Sequence, residues 1–174
     1  MSALSLPGPV RQIGYVVRDI DAAIAPWVAM GIGPWFVIRE LPLRTLYRGR
    51  PCEVVQSIAL ANSGDLQIEL IAQHGDTPSI FTEFLDAHGE GFHQLAWWVE
   101  DFEAALQAAQ SAGMPVVWAG ADEGAVPFAY LEPPGGPVAI IEIMELNDTT
   151  RGMAALVRTA AQGWDGSDPV RSLT

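Results

Sequence analysis

The 174-residue chain contains no lysine, so its nine basic residues are all arginine. A lysine Schiff base, a pyridoxal enzyme and a Walker P-loop each need a lysine, and these classes are therefore excluded. Asp and Glu together number 21, which gives a formal net charge of -12. Nucleic-acid binding requires a basic face for phosphate contacts, so this composition disfavours a nucleic-acid partner.

Cysteine and long apolar runs are also scarce. Cys52 is the single cysteine, so an internal disulfide and a Cys-x-x-Cys site for zinc or redox chemistry are excluded. No segment approaches the roughly 20 apolar residues that cross a bilayer, and the first residues lack the pattern of a secretory signal. The sequence therefore predicts a cytoplasmic protein with no membrane association. Hydrophobic residues still make up 49% of the chain, which suffices for one packed domain.

One segment of the chain occurs twice. Residues 12–24, QIGYVVRDIDAAI, match residues 94–106, QLAWWVEDFEAAL, with five of the thirteen positions identical. Each copy begins with an apolar run rich in β-formers and continues with apolar residues at helical spacing. An expected N-cap and an expected left-handed C-terminal glycine occupy matching places in the copies: Asp19 and Gly31, then Asp101 and Gly113. Each copy therefore predicts a strand followed by a helix.

Three strand-like segments follow each helix, with no helical pattern between them. They cover residues 34–41, 53–60 and 66–73 in the first copy, and 115–120, 127–132 and 138–146 in the second. The sequence thus predicts an α+β fold in which two tandem βαβββ modules, about 10–73 and 93–146, form a single domain over residues 1–174.

Two further helices are predicted outside the modules. A linker helix is expected over about 78–89, because its apolar residues have helical spacing and a glycine ends the segment. A C-terminal helix is expected over 149–163 with Thr149 or Thr150 as its N-cap, within a final segment of 147–174. The polar tail after Trp164 is expected to lie on the surface.

This duplication resembles the vicinal oxygen chelate superfamily, which includes glyoxalases, bleomycin-resistance proteins, extradiol dioxygenases and methylmalonyl-CoA epimerases. The segments most similar to the epimerase-type branch are QIGYVVRDIDAA, LQIEL, GFHQLAWWVEDFEAAL and VAIIEIME. The resemblance covers about residues 10–146 and implies that eight strands curl into a cup with the functional site inside it. The habit of the superfamily and the apolar composition both favour a homodimer.

The resemblance also implies four inward-pointing positions where the superfamily carries metal ligands: Gln12, Glu69, Gln94 and Glu142. The repeat supports them independently, because Gln12 aligns with Gln94 and Glu69 with Glu142. Similar metal-binding proteins usually carry His at the two Gln positions, and an amide oxygen suits Mg or Mn better than zinc, which is not expected here. Two alternatives stay open: a weakly held divalent metal, or a metal-free cluster in which each Gln amide donates to a carboxylate.

Glu69 and Glu142 are the candidate catalytic residues. Superfamily members commonly shift a proton next to a carbonyl, and paired carboxylates in an enclosed site can serve as acid and base. The resemblance therefore implies an isomerase or lyase acting on a small carbonyl or acyl compound. The alternative is a metal-free protein that binds a small molecule for sequestration or resistance. Gln56 stands where the epimerase pattern has an acid, so that particular activity is not expected.

Candidate substrate-binding residues come from two sources. The segment 39–50 concentrates four arginines, of which Arg44, Arg48 and Arg50 are candidates to hold a carboxylate or phosphate. These arginines can equally pair with surface acids. Trp98, Tyr130 and Gln56 are candidates for the wall of a pocket, although core packing also explains the two aromatic residues.

His93 precedes Gln94 and is expected to be a structural histidine. Strand alternation places its side chain on the face that packs against helices. A shift of the register by one residue would turn it into the cup.

Overall fold

The structure is a computed structural model that describes residues 6–136 and 138–173. Its elements follow the two-module order: β1 (Gln12–Val16), α1 (Ile20–Ala29), β2 (Trp35–Tyr47), β3 (Arg50–Ser63), β4 (Leu66–His74), α2 (Ile80–His88), β5 (Gly91–Val99), α3 (Phe102–Ser111), β6 (Val116–Gly120), β7 (Phe128–Leu131), β8 (Ile140–Glu145), α4 (Asp148–Ala161) and β9 (Val170–Ser172). The predicted α+β fold with two βαβββ modules is confirmed.

Eight of the strands form a closed sheet. The two modules meet where β1 lies parallel to β4 and antiparallel to β5. The sheet closes on the other side because the long strand β2 pairs with β3 along most of its length and with β6 near its end. Alternate residues of each strand therefore face an enclosed interior or the outer surface.

Helices α1 and α3 cover the outer faces of the barrel, and α2 closes one end. The apolar stripe of α1, with Ile20 and Ile24, packs on the outer face of the first module. The corresponding stripe of α3, with Ala105 and Ala109, packs on the outer face of the second. Phe81 of α2 packs among interior residues of the barrel, so α2 closes one end.

Helix α4 lies over the opposite end of the barrel. Val157 of α4 is fully buried against Phe36 and Leu60 of the strands β2 and β3. The C-terminal segment of the chain therefore covers the mouth of the cup.

The predicted caps of the two repeated helices are confirmed. Asp19 accepts a hydrogen bond from the backbone N–H of Ala22 at 3.0 Å, and Asp101 accepts one from Ala104 at 3.0 Å. Each side chain satisfies a donor that would otherwise lack a partner at the start of its helix. Matching glycines with positive φ follow the two helices, Gly31 at 80° and Gly113 at 87°.

One prediction about the C-terminal segment was wrong. The N-cap of α4 is Asn147, whose side chain accepts from Thr150 N at 3.1 Å, and not Thr149 or Thr150. The tail lies on the surface as predicted, and it also forms a strand that the sequence did not indicate. Strand β6 pairs only with residues near the end of β2, so the edge of Trp35–Val37 is open to it. Strand β9 pairs with that edge in parallel.

The hairpin of β2 and β3 is longer than predicted. Both strands extend through the arginine-rich segment to a two-residue turn at Arg48 and Gly49, whose φ angles are 47° and 78°. Positive φ at both turn residues matches the twist of a tight hairpin. Within residues 6–136 and 138–173, no helix combines the length and apolar character needed to cross a membrane.

Candidate active site

A buried amide joins two carboxyl groups inside the barrel. Gln94 on β5 is fully buried, and its Nε2 lies 3.0 Å from Glu142 Oε2 and 3.2 Å from Glu69 Oε2. The same nitrogen lies 2.9 Å from the hydroxyl oxygen of Tyr130 on β7. Strand pairing explains the meeting, because Gly14 of β1 stands opposite both Glu69 and Gln94. Three of the four positions implied by the resemblance therefore form one cluster.

Gly14 leaves the space that Gln94 occupies. A Cβ atom at this position would lie 2.5 Å from Cδ and 2.7 Å from Nε2 of Gln94. Such contacts are too short for any side chain, and both groups belong to paired strands that limit movement. A glycine on β1 is therefore needed for the amide to reach the two acids.

A β-bulge brings His93 next to this amide. Gly14 stands opposite Gln94 and Tyr15 opposite Phe92, so His93 is an extra residue on β5. Its Nδ1 lies 2.5 Å from Gln94 Oε1. Strict alternation on this strand is thus broken at His93, and the bulge turns its side chain inward, as the register shift left open by the sequence would. The ring still packs against a helix, α2, as expected of a structural histidine.

His93 is a buried, neutral histidine. Its ring packs against Phe81 and Phe84 of α2, with ring centroids 6.0 Å and 4.8 Å away. Burial lowers the pKa of His93 to about 4, so the imidazole carries a single proton at neutral pH. An amide oxygen can only accept, so Nδ1–H is the donor in the contact with Gln94 Oε1.

The histidine fixes the orientation of the Gln94 amide. Because Oε1 accepts from His93, the Nε2 group faces Glu69, Glu142 and Tyr130. An amide nitrogen carries only two hydrogens, which is one fewer than the three oxygens it faces. The Tyr130 hydroxyl brings a hydrogen of its own, and a proton held by one of the acids adds a further donor to the cluster.

Both acids favour their protonated forms. Burial raises the pKa of Glu69 well above its ordinary value, and the charge of Glu142 raises it further. Burial also raises the pKa of Glu142, to about 7, against the opposing effect of donation from Gln94. The two carboxyl groups titrate as one unit that retains a proton at neutral pH.

The amide orientation does not fit a chelated metal ion. Gln94 would have to turn its oxygen toward the acids and give up the contact with His93. Gln12 is not part of the Gln94 cluster: its Nε2 donates to Gln67 Oε1 at 2.7 Å, and its Oε1 makes no hydrogen bond. Within the part of the chain that the structure describes, no three His, Cys, Asp or Glu side chains come together as metal ligands.

A cavity of about 200 Å³ lies between this cluster and helix α4. Glu69 is half-buried and is the acid that reaches the cavity, whereas Glu142 lies deeper. Gln12 and Gln67 supply the remaining polar groups from the strands. The other lining residues are mostly apolar: Ile38, Ile58, Leu60, Trp98, Val126, Met144, and from α4 Thr149, Thr150, Met153 and Ala154.

The arginines of the β2–β3 hairpin lie outside the barrel. Arg44 pairs with Asp122 at 2.7 Å, and Arg48 pairs with Glu83 at 2.6 Å. Arg50 is exposed beside the turn. These three residues therefore do not contribute to the cavity, and Arg44 and Arg48 make the surface pairs that the sequence left as the alternative.

The other predicted pocket residues divide into two groups. Trp98 lines the cavity. Tyr130 is buried beneath the cluster and contacts Gln94 and the ring of Phe81 instead. Gln56 is buried on β3 and does not line the cavity.

Several residues at the site were missed from the sequence. Gln67 lies two residues before Glu69 on the same strand face, so strand alternation was a signal that could have identified it. The residues of α4 carried no such signal. A separate groove beside Trp98 is lined by Arg11, Arg151 and Arg158, and the sequence did not indicate it because Arg11 is distant in sequence from the other two.

Comparison with known proteins agrees with this architecture. A family model described as the Glyoxalase/Bleomycin resistance protein/Dioxygenase superfamily matches residues 11–130. No curated protein matches the chain.

Similar solved structures include methylmalonyl-CoA epimerase from Mycobacterium tuberculosis, at 24% identity and a TM-score of 0.58, covering 87% of this chain and 97% of that one. A hypothetical protein from Bacillus halodurans C-125 has 17% identity and a TM-score of 0.56, with coverage of 80% and 95%. A variant of Streptomyces coelicolor methylmalonyl-CoA epimerase in complex with 2-nitronate-propionyl-CoA has 18% identity and a TM-score of 0.56, with coverage of 78% and 95%. At these identities the likeness shows the fold alone.

Proposed function

The chain belongs to the glyoxalase/bleomycin resistance protein/dioxygenase superfamily, and from this premise we propose that it is an enzyme that moves a proton on a small carbonyl compound. Glu69 is the group that exchanges the proton, and the product is that of an isomerase or lyase. The observation that carries the proposal is a pair of acids joined by Gln94 at the edge of an apolar cavity, with Glu142 buried and Glu69 half-buried. Burying two acids without a cation lowers folding stability, and a pocket that only binds an apolar ligand does not need them.

The pair supplies the proton chemistry as follows. Glu69 in its ionised form accepts a proton from the carbon next to the carbonyl and later returns it, which passes the substrate through an enolate. The pair keeps one proton, and this proton lies on Glu142 when Glu69 is ionised, which lowers the repulsion between the two carboxyl groups. Gln94 donates to both carboxyl groups and keeps their orientation fixed.

A raised pKa suits this role. General catalysis is most efficient when the pKa of the group lies near the working pH, because both protonation states are then accessible. Burial raises the pKa of both Glu69 and Glu142, and the charge of Glu142 raises that of Glu69 further. We propose that the site works without a tightly bound metal, since Gln94 presents N–H groups to the acids.

Deuterium exchange tests the proposal directly. Acetophenone in D2O exposes its methyl protons to any base in the cavity, and proton NMR reports their loss. A benzene ring occupies a dry cavity of about 150 Å³ in another protein, so acetophenone is of suitable size for this cavity. We expect exchange above the buffer rate for the wild-type protein, and a decrease of roughly 100-fold or more for Glu69→Gln.

Two controls complete this experiment. Glu123→Gln changes an exposed acid and should leave the exchange rate unchanged. The same rates with and without EDTA would support metal-free chemistry. Exchange that persists undiminished in Glu69→Gln would contradict the assignment of the base.

A second candidate function is binding without turnover. The apolar lining of the cavity and its cover by α4 favour it. In that case the wild-type protein would bind acetophenone in calorimetry but show no exchange above buffer. A homodimer also remains a prediction, and light scattering would test it.

A further inference from the structure

The groove beside helix α4 concentrates positive charge on an acidic protein. Its volume is about 240 Å³, and three of the nine arginines line it: Arg11, which precedes β1, and Arg151 and Arg158 of α4. Among the described residues that line the groove, Asp65 is the one acid. Three positive charges therefore meet one negative charge in the lining, although the whole chain carries a formal net charge of -12.

Arg11 is the arginine of this groove that has no counter-charge. Within residues 6–136 and 138–173, six arginines form ion pairs with acids, and Arg11, Arg18 and Arg50 form none. Arg18 and Arg50 are exposed, whereas Arg11 is half-buried with its guanidinium 5.9 Å from the centre of the Trp98 ring. A cation that is partly removed from water is stabilised by an anion beside it. Stacking on the indole leaves the N–H groups at the edge of the guanidinium for such a partner.

The spacing of residues on α4 gives the groove its shape. Arg151 and Arg158 are seven residues apart, so they lie on one face of the helix. Ala154 and Ala155 lie between them and line the groove with short side chains. This face therefore carries a positive charge at each end and leaves room for a ligand between them.

The two arginines of α4 keep donors for a ligand. Arg151 donates one N–H to Glu100 at 2.7 Å, and Arg158 lies 3.7 Å from Asp65, which is too long for a hydrogen bond. Half of each arginine side chain is exposed. Because exposed ion pairs contribute little to stability, both guanidinium groups can turn toward an anion at small cost.

We propose that this groove binds a phosphate group. Guanidinium groups bind phosphate through charge-assisted, often bidentate hydrogen bonds. A phosphate group carries close to two negative charges at neutral pH, which matches the excess of arginine over acid in the lining. A carboxylate carries a single charge and is therefore expected to bind less tightly. This site goes beyond the proposed function and does not require proton transfer in the cavity.

The phosphate group has two possible sources. Trp98 and Ala154 line both the groove and the cavity beside Glu69, so the two spaces adjoin. The phosphate group therefore belongs either to the compound in the cavity or to a second molecule.

Calorimetric titration with inorganic phosphate tests the site. At an ionic strength of about 0.1 M, charges more than about 10 Å apart are largely screened, so binding reports on nearby groups. We expect the wild-type protein to bind phosphate with a dissociation constant of about 1 mM or lower. Acetate should bind about tenfold more weakly or worse, because it offers fewer charged oxygens.

Four variants assign the binding to the groove. Arg11→Gln and Arg158→Gln should each weaken phosphate binding about tenfold or more, since each removes charge-assisted hydrogen bonds. Arg158 is exposed, so its replacement tests the site without disturbing the fold. Asp65→Asn should tighten binding, because it removes the acid from the lining. Arg18→Gln is the matched control, because it removes the same charge from an exposed arginine outside the groove and should leave the affinity nearly unchanged.

Phenacyl phosphate, in which a phosphate is attached to the methyl carbon of acetophenone, distinguishes the two sources. If one molecule occupies the groove and the cavity, this compound should bind about 100-fold more tightly than inorganic phosphate or acetophenone. If a second molecule supplies the phosphate, phenacyl phosphate should gain no such affinity. Inorganic phosphate should then bind equally well with and without saturating acetophenone.

Two results would overturn the proposal. One is the absence of phosphate binding to the wild-type protein up to about 10 mM, and this result does not depend on how the variants fold. The other is an equal loss of affinity in Arg11→Gln, Arg158→Gln and Arg18→Gln, which would show attraction by net charge alone. Phosphate binding without deuterium exchange would support the groove and contradict the proposed enzyme, and exchange without phosphate binding would do the reverse.

Discussion

Replacing Glu142 by Gln should change how protein stability depends on pH. In the folded protein the pKa of Glu142 is about 7, compared with an ordinary value of 4.5. The folded state therefore binds the proton more tightly than the unfolded chain does. The stability that this proton provides is fully present below about pH 4.5 and is lost as the pH rises through about 7.

The two pKa values set the size of the effect. Each tenfold difference in proton affinity corresponds to about 1.4 kcal/mol, so the first ionisation of the coupled pair Glu69 and Glu142, with its pKa of about 7, costs the folded protein about 3 kcal/mol above pH 7. Glutamine is neutral at every pH and does not incur this cost. The free energy of unfolding of Glu142→Gln, relative to that of the wild type, should therefore rise by about 3 kcal/mol in total, mostly between about pH 5 and pH 8.

Urea unfolding followed by tryptophan fluorescence at about pH 5, 6, 7 and 8 measures this difference. Glu123→Gln serves as the control, because an exposed substitution should change stability by only a few tenths of a kcal/mol. A difference between Glu142→Gln and the wild type that stays constant over this range would refute the reasoning.

Other substitutions test the geometry around Gln94 and the cover of the cavity. Gly14→Ala should lower the free energy of unfolding by about 1–3 kcal/mol, because its Cβ overlaps Gln94. Gly91→Ala on β5 has open space around its Cβ and should leave the free energy of unfolding unchanged, and urea unfolding of both variants measures the difference. His93→Phe should leave Gln94 Oε1 unpaired at a cost of about 1–3 kcal/mol at pH 7. That variant should also lose less stability than the wild type as the pH falls from about 6.5 to 4, because the folded wild type resists protonation of His93. Urea unfolding across this range measures the free energy of unfolding of both proteins. The same pH dependence in both would contradict the neutral, buried state of His93. Asn147→Ala should lower the free energy of unfolding by about 1 kcal/mol through loss of the α4 cap, and an unchanged midpoint in urea would argue against it.

The sequence predicted the parts of the site that follow from strand alternation. Glu69 and Glu142 lie in the centre of apolar strands, and the repeat places them at matching positions. Their burial inside the barrel and the contact of both with Gln94 agree with that prediction. The caps of α1 and α3 were also predicted correctly, because the repeat places Asp19 and Asp101 at matching positions before the helical pattern.

The sequence did not predict the features that depend on tertiary contacts. The bulge at His93 follows from how β5 pairs with β1, and nothing in the sequence around His93 marks an extra residue. The orientation of the Gln94 amide depends in turn on that bulge. The position of α4 over the cavity depends on packing against β2 and β3, which are distant in sequence.

The hairpin arginines show a related limit of sequence reasoning. Four arginines within twelve residues suggested one surface for an anion. On an extended strand, however, successive side chains point in opposite directions and become spread along the hairpin. Each can then pair with whichever acid lies nearby, as Arg44 and Arg48 do.

The repeat leaves the chain with two equivalent pairs of residues that have unequal surroundings. Gln12 and Glu69 from the first module border the cavity, whereas Gln94 and Glu142 from the second are enclosed by protein. The pseudo-twofold relation between the modules is thus broken at the centre of the molecule. Within these two pairs, the residues of the first module border the cavity and those of the second hold Glu69 from behind, although Trp98 and Met144 of the second module also line the cavity. Neither module alone would contain a complete site, and a change in one pair cannot be compensated by the other.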